Sequence, residues 1–347
     1  MKRTMFSVSL ICMVFIFLTS GFSQFADANI QQAPPRRSPQ NDEEPGKRTF
    51  YLAIEGAMRE FIIYRPAGLP ANQNAPVVFA FHGTGGSGEN FYQDSAWREK
   101  ADAEGFMAVF PSARRYHIFD ETLVRHGEVL TNVQRFTTKW NFFDLEKLLD
   151  PAYPNQTLYD DVKFVQVIVE VLKRNYAVDQ ERFYATGFSN GAQFTGRLAV
   201  QMSDVFAAFA ICGNARSFNR EQAALTNVYT NAPFKPRPVF QVIGELDPKL
   251  TYPAKVEAFP LDESAAAPGT FTKEVIINSW LGLLGLPDQY TYSRPNAASV
   301  FQYGAAGASP EYRFSIVEGM RHVYPNGENF RFEIADIFWP FMLQHRR

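Results

Sequence analysis

Ser189 sits in the string Gly187-Phe188-Ser189-Asn190-Gly191, directly after "ERFYAT" and before an amphipathic run. A short β-type segment, Gly-x-Ser-x-Gly and a helix pattern together describe a strand–turn–helix that lifts a serine hydroxyl to the end of a sheet. Such a turn is so tight that side chains two residues either side of the serine would collide, and glycines at 187 and 191 remove the collision. The helix expected from Asn190 onward points its first N–H groups at the place where negative charge develops during acyl transfer.

A serine alone is a weak nucleophile; it needs a base, and the base needs an orienting group. In a serine site of this kind the acid and then the histidine follow the serine in chain order, each just past a later strand. "PVFQVIGELDPKL" puts Asp247 past one strand and "FSIVEGMRHVYPNG" puts His322 past the next. Of the five histidines, His82 precedes the serine, His117 and His126 lie in a long insertion, and His345 is near the C-terminus. Only His322 has the required order. Glu245 and Glu318 are rivals to Asp247, which is preferred because its Asp-Pro turn lies farther beyond the strand end. The expected triad is therefore Ser189, His322 and Asp247.

A tetrahedral oxyanion needs two N–H donors. Asn190, after the nucleophile, offers one. "FHGTGGSGEN" offers the other, and the Thr84 N–H is the expected donor, with His82 bracing the loop. The same segment lacks the Gly-Lys-Ser/Thr ending of a phosphate-cradling loop. One cysteine after residue 12, Cys212, excludes a zinc–thiolate site. No metal or organic cofactor is required by this chemistry.

The elements that must position these groups read as β alternating with α. Strands are expected at 49–54 and 59–66 as an antiparallel pair, then at 75–83, 105–112, 181–187, 205–213, 237–245 and 312–319. The 75–83 run is apolar almost throughout, as a strand buried on both faces is. Helices are expected at 160–176, capped by Asp160 or Asp161 and ending in Lys173 and Arg174, and at 190–203, 271–285 and 329–345, the last kinked or broken at Pro340. This is an α/β fold, with a mostly parallel central sheet of about eight strands flanked by helices. Residues 113–158 and 248–270 are long for connections, and such insertions commonly lie over an active-site face.

The chain has 347 residues, a net charge of −2 and no basic stripe, so a nucleic-acid partner is not expected. Lys2 and Arg3 precede an apolar stretch at 5–18, short for a membrane span, and small residues follow it. Residues 1–28 read as an export signal peptide, 29–47 as a Pro-rich charged linker, and 48–347 as the catalytic domain. Export to the periplasm or cell exterior, with no membrane association after cleavage, follows. Loss of Cys12 with the leader would leave Cys212 without an intrachain partner.

"FHGTGGSG", "KWNFF", "YDDVKFVQVIVEVL", "YAVDQERFYATGFSNGAQF", "FAAFAICG", "GELDP" and "GMRHVYP" together resemble the polyhydroxybutyrate depolymerase and feruloyl esterase family of α/β-hydrolases, over roughly residues 48 to 330. The resemblance implies the α/β-hydrolase fold and a serine esterase acting on feruloyl or acetyl esters of plant polysaccharide, or on polyhydroxyalkanoates. It also supports Asp247 and His322 as triad members. It places Trp140 near the cleft, where the ring either stacks on a sugar or aromatic acyl group or belongs to the core, and it puts Tyr324 among the substrate-contacting residues. Departures are Ala192 where the family has a second glycine, Tyr324 where it has Trp, no disulfide partner for Cys212, and the length of 113–158. Two other classes fit the same residues: a serine peptidase of this fold, and a non-catalytic carbohydrate-binding protein on a hydrolase scaffold.

Overall fold

The computed structural model describes residues 44–120, 122–125, 128–216 and 230–347. The proposed leader and most of the proposed linker lie outside the described residues, as does His126. Strands β1 (Lys47–Ile54) and β2 (Ala57–Tyr64) form the expected antiparallel pair. Strands β3 (Ala75–Phe81) and β4 (Met107–Pro111) follow. The insertion then folds on itself: β5 (Arg115–Asp120) pairs antiparallel with β8 (Val133–Thr138), and between them lies the short pair β6 (Leu123–Arg125) and β7 (Glu128–Leu130). The described residues of 115–138 thus form a β-hairpin arm rather than a loop.

The remaining strands are β9 (Val178–Phe188), β10 (Ala208–Cys212), β11 (Val239–Gly244), β12 (Tyr290–Ser293), β13 (Ala298–Tyr303) and β14 (Tyr312–Val317). One ten-stranded sheet runs β1-β2-β4-β3-β9-β10-β11-β14-β13-β12. It is parallel from β4 to β14 and antiparallel at both edges. All eight expected strands are present. The two extra ones, β12 and β13, form an edge whose faces alternate between buried and more exposed positions, a weaker pattern than the continuous apolar runs of the centre.

Alternate side chains of the central strands enter different cores. Val77, Phe79 and Phe81 pack on one face of the sheet, while Val78 and Ala80 pack on the other. On the first face lie α3 (Asp161–Asn175) and α4 (Asn190–Gln201). The second is covered by α1 (Gly88–Asp94), α2 (Trp97–Glu104) and a C-terminal helix, Ile334–Leu343. Asp160 caps α3, its carboxylate accepting from the Val162 N–H at 2.9 Å. Of the kink or break expected at Pro340, the break is absent: the C-terminal helix continues through it. Pro340 and Asp336, whose carbonyl loses its helical partner, are both exposed, so water can satisfy that carbonyl.

Candidate active site

The site forms where β9, β10, β11 and β14 end side by side. Ser189 follows β9 at φ 53°, ψ −115°, a conformation L-residues rarely adopt. The glycines explain how it is held. A Cβ on Gly187 would lie 2.4 Å from the Gly191 carbonyl oxygen, and one on Gly191 would lie 2.1 Å from the Phe81 carbonyl oxygen. The turn is therefore pressed onto the end of β3. The Ser189 N–H donates to the Cys212 carbonyl at 2.9 Å, which ties the turn to β10 as well.

Asp247 caps a helix at Pro248–Ala254 just beyond β11 and is fully buried. One carboxylate oxygen accepts from the Lys249 N–H at 2.9 Å; the other lies 2.7 Å from His322 Nδ1. That pairing puts the ring proton on Nδ1 and leaves the Nε2 lone pair for the serine, whose Oγ is 2.9 Å away. The loops that carry the two groups are stitched together. The Leu246 N–H donates to the Met320 carbonyl at 2.9 Å, and a Cβ on Gly244 would meet that same oxygen at 2.2 Å. The rival acids are engaged elsewhere: Glu245 accepts from the Gly319 N–H at 2.7 Å, and Glu318 pairs with Arg294. Phe188 packs tilted against the His322 ring, with centroids 4.8 Å apart.

The glycine-rich loop after β3 lies over Ser189, since a Cβ on Gly83 would be 3.4 Å from the Ser189 Cβ. The Gly85 N–H donates to the Thr138 carbonyl at 3.0 Å, and the Gly86 N–H to the Gly83 carbonyl at 3.1 Å. Among the described residues, no hydrogen bond occupies the backbone N–H of Thr84 or of Asn190, the two expected donors. His82 is buried and accepts the Ala113 N–H at 3.1 Å through Nε2, while its Nδ1 donates to the Gly83 carbonyl at 2.7 Å. Burial pulls its pKa down to about 4, so it stays neutral and braces the loop.

Of the two readings left open for Trp140 the structure matches the core one, and Tyr324, expected to contact substrate, is corrected to a core residue. Trp140 is 0% exposed; its ring stacks on Phe194 and its Nε1 donates to the His82 carbonyl at 2.9 Å. Its backbone N–H donates to Asn190 Oδ1 at 2.6 Å. It is a core residue beneath the oxyanion loop, because its polar atoms are used up in joining that loop to α4. Tyr324 is also buried, with its hydroxyl accepting from Trp97 Nε1 at 2.7 Å. It supports Phe188 and the His322 loop from below, and burial pushes its phenol well above the usual range. Cys212 is buried too, and burial, then the Asp247 charge, push its thiol up. It is not a second nucleophile.

Sequence reasoning missed Thr138, whose Oγ1 donates to the Gly86 carbonyl at 2.7 Å while its own carbonyl holds Gly85. It lies far from the loop in sequence, and no spacing rule links the two. It also missed the buried ion pair of Arg59 and Asp161 at 2.5 Å, whose carboxylate takes the Asn141 N–H at 2.7 Å and so holds the segment around Trp140.

No family model matches the chain. It is 26% identical over 209 residues to a bifunctional acetylxylan esterase/xylanase of Neocallimastix patriciarum, covering 60% of this chain and 24% of that protein. It is 26% identical over 152 residues to feruloyl esterase B of Thermothelomyces thermophilus, covering 44% of this chain and 43% of the relative. Over 145 residues it is 26% identical to poly(3-hydroxyalkanoate) depolymerase C of Paucimonas lemoignei, covering 42% and 28%. The chain thus spans about a quarter to two fifths of the length of these relatives. A solved acetyl xylan esterase from Aspergillus awamori superposes with a TM-score of 0.54 at 14% identity, covering 86% of this chain and 99% of that one. The chain has the α/β-hydrolase fold. The curated relatives carry the names to which the sequence resemblance led, acetylxylan and feruloyl esterases and a polyester depolymerase. Among the described residues, no helix is long and apolar enough to cross a membrane.

Proposed function

We propose that the protein is an exported serine carboxylesterase acting on feruloyl or acetyl esters of plant polysaccharide. The observation that carries this reading is the continuous chain Asp247–His322–Ser189, at 2.7 and 2.9 Å, on a strained turn beside free N–H donors. Ser189 Oγ attacks the ester carbonyl as His322 Nε2 takes its proton. The oxyanion sits on the Thr84 and Asn190 N–H groups, His322 returns the proton to the leaving alcohol, and water then releases the acyl-enzyme by the same route. Asp247 holds the tautomer and stabilises the imidazolium. The names of the relatives support ester chemistry: one names acetylxylan and three name feruloyl esters.

The test is hydrolysis of p-nitrophenyl acetate, methyl ferulate, acetylated xylan and a polyhydroxybutyrate film, with Ser189→Ala as control. Turnover of the first three, lost by about 10⁴-fold or more in the variant, is the expected result. Turnover of the film alone would replace polysaccharide by polyester. No turnover of any ester would remove the enzyme reading.

A further inference from the structure

Among the described residues most aromatic side chains are buried or half-buried; Tyr51, Tyr153 and Tyr252 are the exposed tyrosines, and Phe136 is the one exposed phenylalanine. It does not stand alone. Its ring lies on His117 at 4.3 Å between centroids and 27° between planes, and His117 lies on Tyr153 at 3.6 Å and 6°. Phe136 is 53% exposed and Tyr153 is 43% exposed. The result is a three-ring pile standing on the outer face of the hairpin arm.

The pile is built, not incidental. His117 and Phe136 are direct partners across the β5–β8 ladder. The backbone of His117 is gripped by the Gln156 side chain, which accepts its N–H at 2.6 Å and donates to its carbonyl at 3.0 Å. Tyr153 rides on a turn whose buried Asp150 donates its N–H to the His117 carbonyl at 2.9 Å and takes a hydrogen bond from Gln134. Rigid exposed rings bind with little loss of conformational freedom. Nothing in the triad chemistry uses them.

Their position relates them to the site. Phe136 and Thr138 point to the same face of β8, being two residues apart, about 7 Å along the strand. Thr138 is the residue that holds Gly85 and Gly86 of the oxyanion loop. The rings therefore stand on the strand whose end braces the glycine-rich loop over Ser189. Exposed side chains with hydrogen-bonding groups, Arg115 over the Phe136 ring at 5.0 Å and Gln134, flank them. Apolar ring surface within a polar rim matches a pyranose, which offers a face of C–H groups ringed by hydroxyls.

We infer that the Phe136–His117–Tyr153 pile is a subsite for the polysaccharide chain, engaging sugar residues away from the ester being cleaved. The inference deepens the proposed function and rests on it for the choice of polymer. The test uses two readouts on the full chain. Phe136→Ala/Tyr153→Ala should lower kcat/KM on acetylated xylan by about tenfold and leave p-nitrophenyl acetate within about twofold, and Phe136→Trp should restore most of the loss. In the Ser189→Ala background, insoluble acetylated xylan should deplete the protein from solution, and the two alanines should abolish that depletion. An unchanged rate on xylan, an equal fall on both substrates, or no retention by xylan before the rings are removed would each overturn the inference. Retention that depends on the rings in a protein that hydrolyses no ester would sustain the subsite while removing the esterase reading.

Discussion

The elbow around Ser189 and the hairpin arm at 115–138 are joined through the glycine-rich loop after β3, yet they are held by opposite means. At the elbow the constraint is backbone against backbone: Gly187, Gly191 and Gly244 each sit where a single added carbon would meet a carbonyl oxygen within 2.4 Å. Asp247 is fully buried and both its oxygens are engaged. On the arm the ladder buries Tyr116, Ile118 and Thr137 on one face and sends Phe136 and His117 outward on the other. Those outward side chains can change without moving a strand. The proposed reaction thus rests on close packing, and the proposed recognition on a surface whose side chains are free of it. Thr138 is the joint between the two.

The sharpest way to break the contrast is at Gly191. Gly191→Ala drives a Cβ to 2.1 Å from the Phe81 carbonyl oxygen, so we expect loss of both activity and folded protein, read as failure to recover soluble enzyme or a fall in Tm of 10 °C or more. A variant with wild-type Tm would show that the elbow is looser than its geometry. Next, Asp247→Asn keeps the shape but removes the charge that fixes the His322 tautomer. A drop in kcat on p-nitrophenyl acetate of about 10³–10⁴ is expected, with KM little changed.

At the joint, Thr138→Val removes the hydroxyl bond to the Gly86 carbonyl. The oxyanion donor loses its brace, and kcat should fall about tenfold with KM and Tm nearly constant, while Thr138→Ser recovers it. A KM effect instead would assign Thr138 to binding. The last effect is on stability, not on rate, and concerns His82. Its folded pKa, about 4, lies below the ordinary value of 6.5, so between those pH values the unfolded chain binds more protons than the folded one. Stability is then fully present above pH 6.5 and declines as pH falls toward 4, by about 3 kcal/mol from this group. His82→Gln should flatten that part of the Tm-against-pH curve, although its Tm at pH 7 will be lower.

The legibility of the sequence follows the same division. That Ser189, Asp247 and His322 come together was legible because a strand end followed by a turn is a local pattern, and chain order does the rest. The central strands were equally plain, since burial on both faces leaves an uninterrupted apolar run such as "VVFAF". The edge pair β12–β13 escaped because half-buried strands alternate weakly over so few residues. The resemblance left Trp140 open between cleft and core and set Tyr324 among the substrate contacts; the structure puts both in the core, where the Trp140 indole N–H and the Tyr324 hydroxyl have partners 58 and 227 residues away in sequence. Long-range hydrogen bonds leave no periodic trace. Nor does the arm's ring pile, in which Tyr153 meets His117 only through the turn at Asp150.

The central claim is that Ser189 is the nucleophile of this strained turn. Intact-mass measurement after treatment with a fluorophosphonate tests it most directly. We expect one phosphonyl adduct per chain, mapped by peptide digestion to Ser189, absent from Ser189→Ala and strongly slowed in Asp247→Asn. An unlabelled wild-type protein, or an adduct that persists in Ser189→Ala, would contradict it.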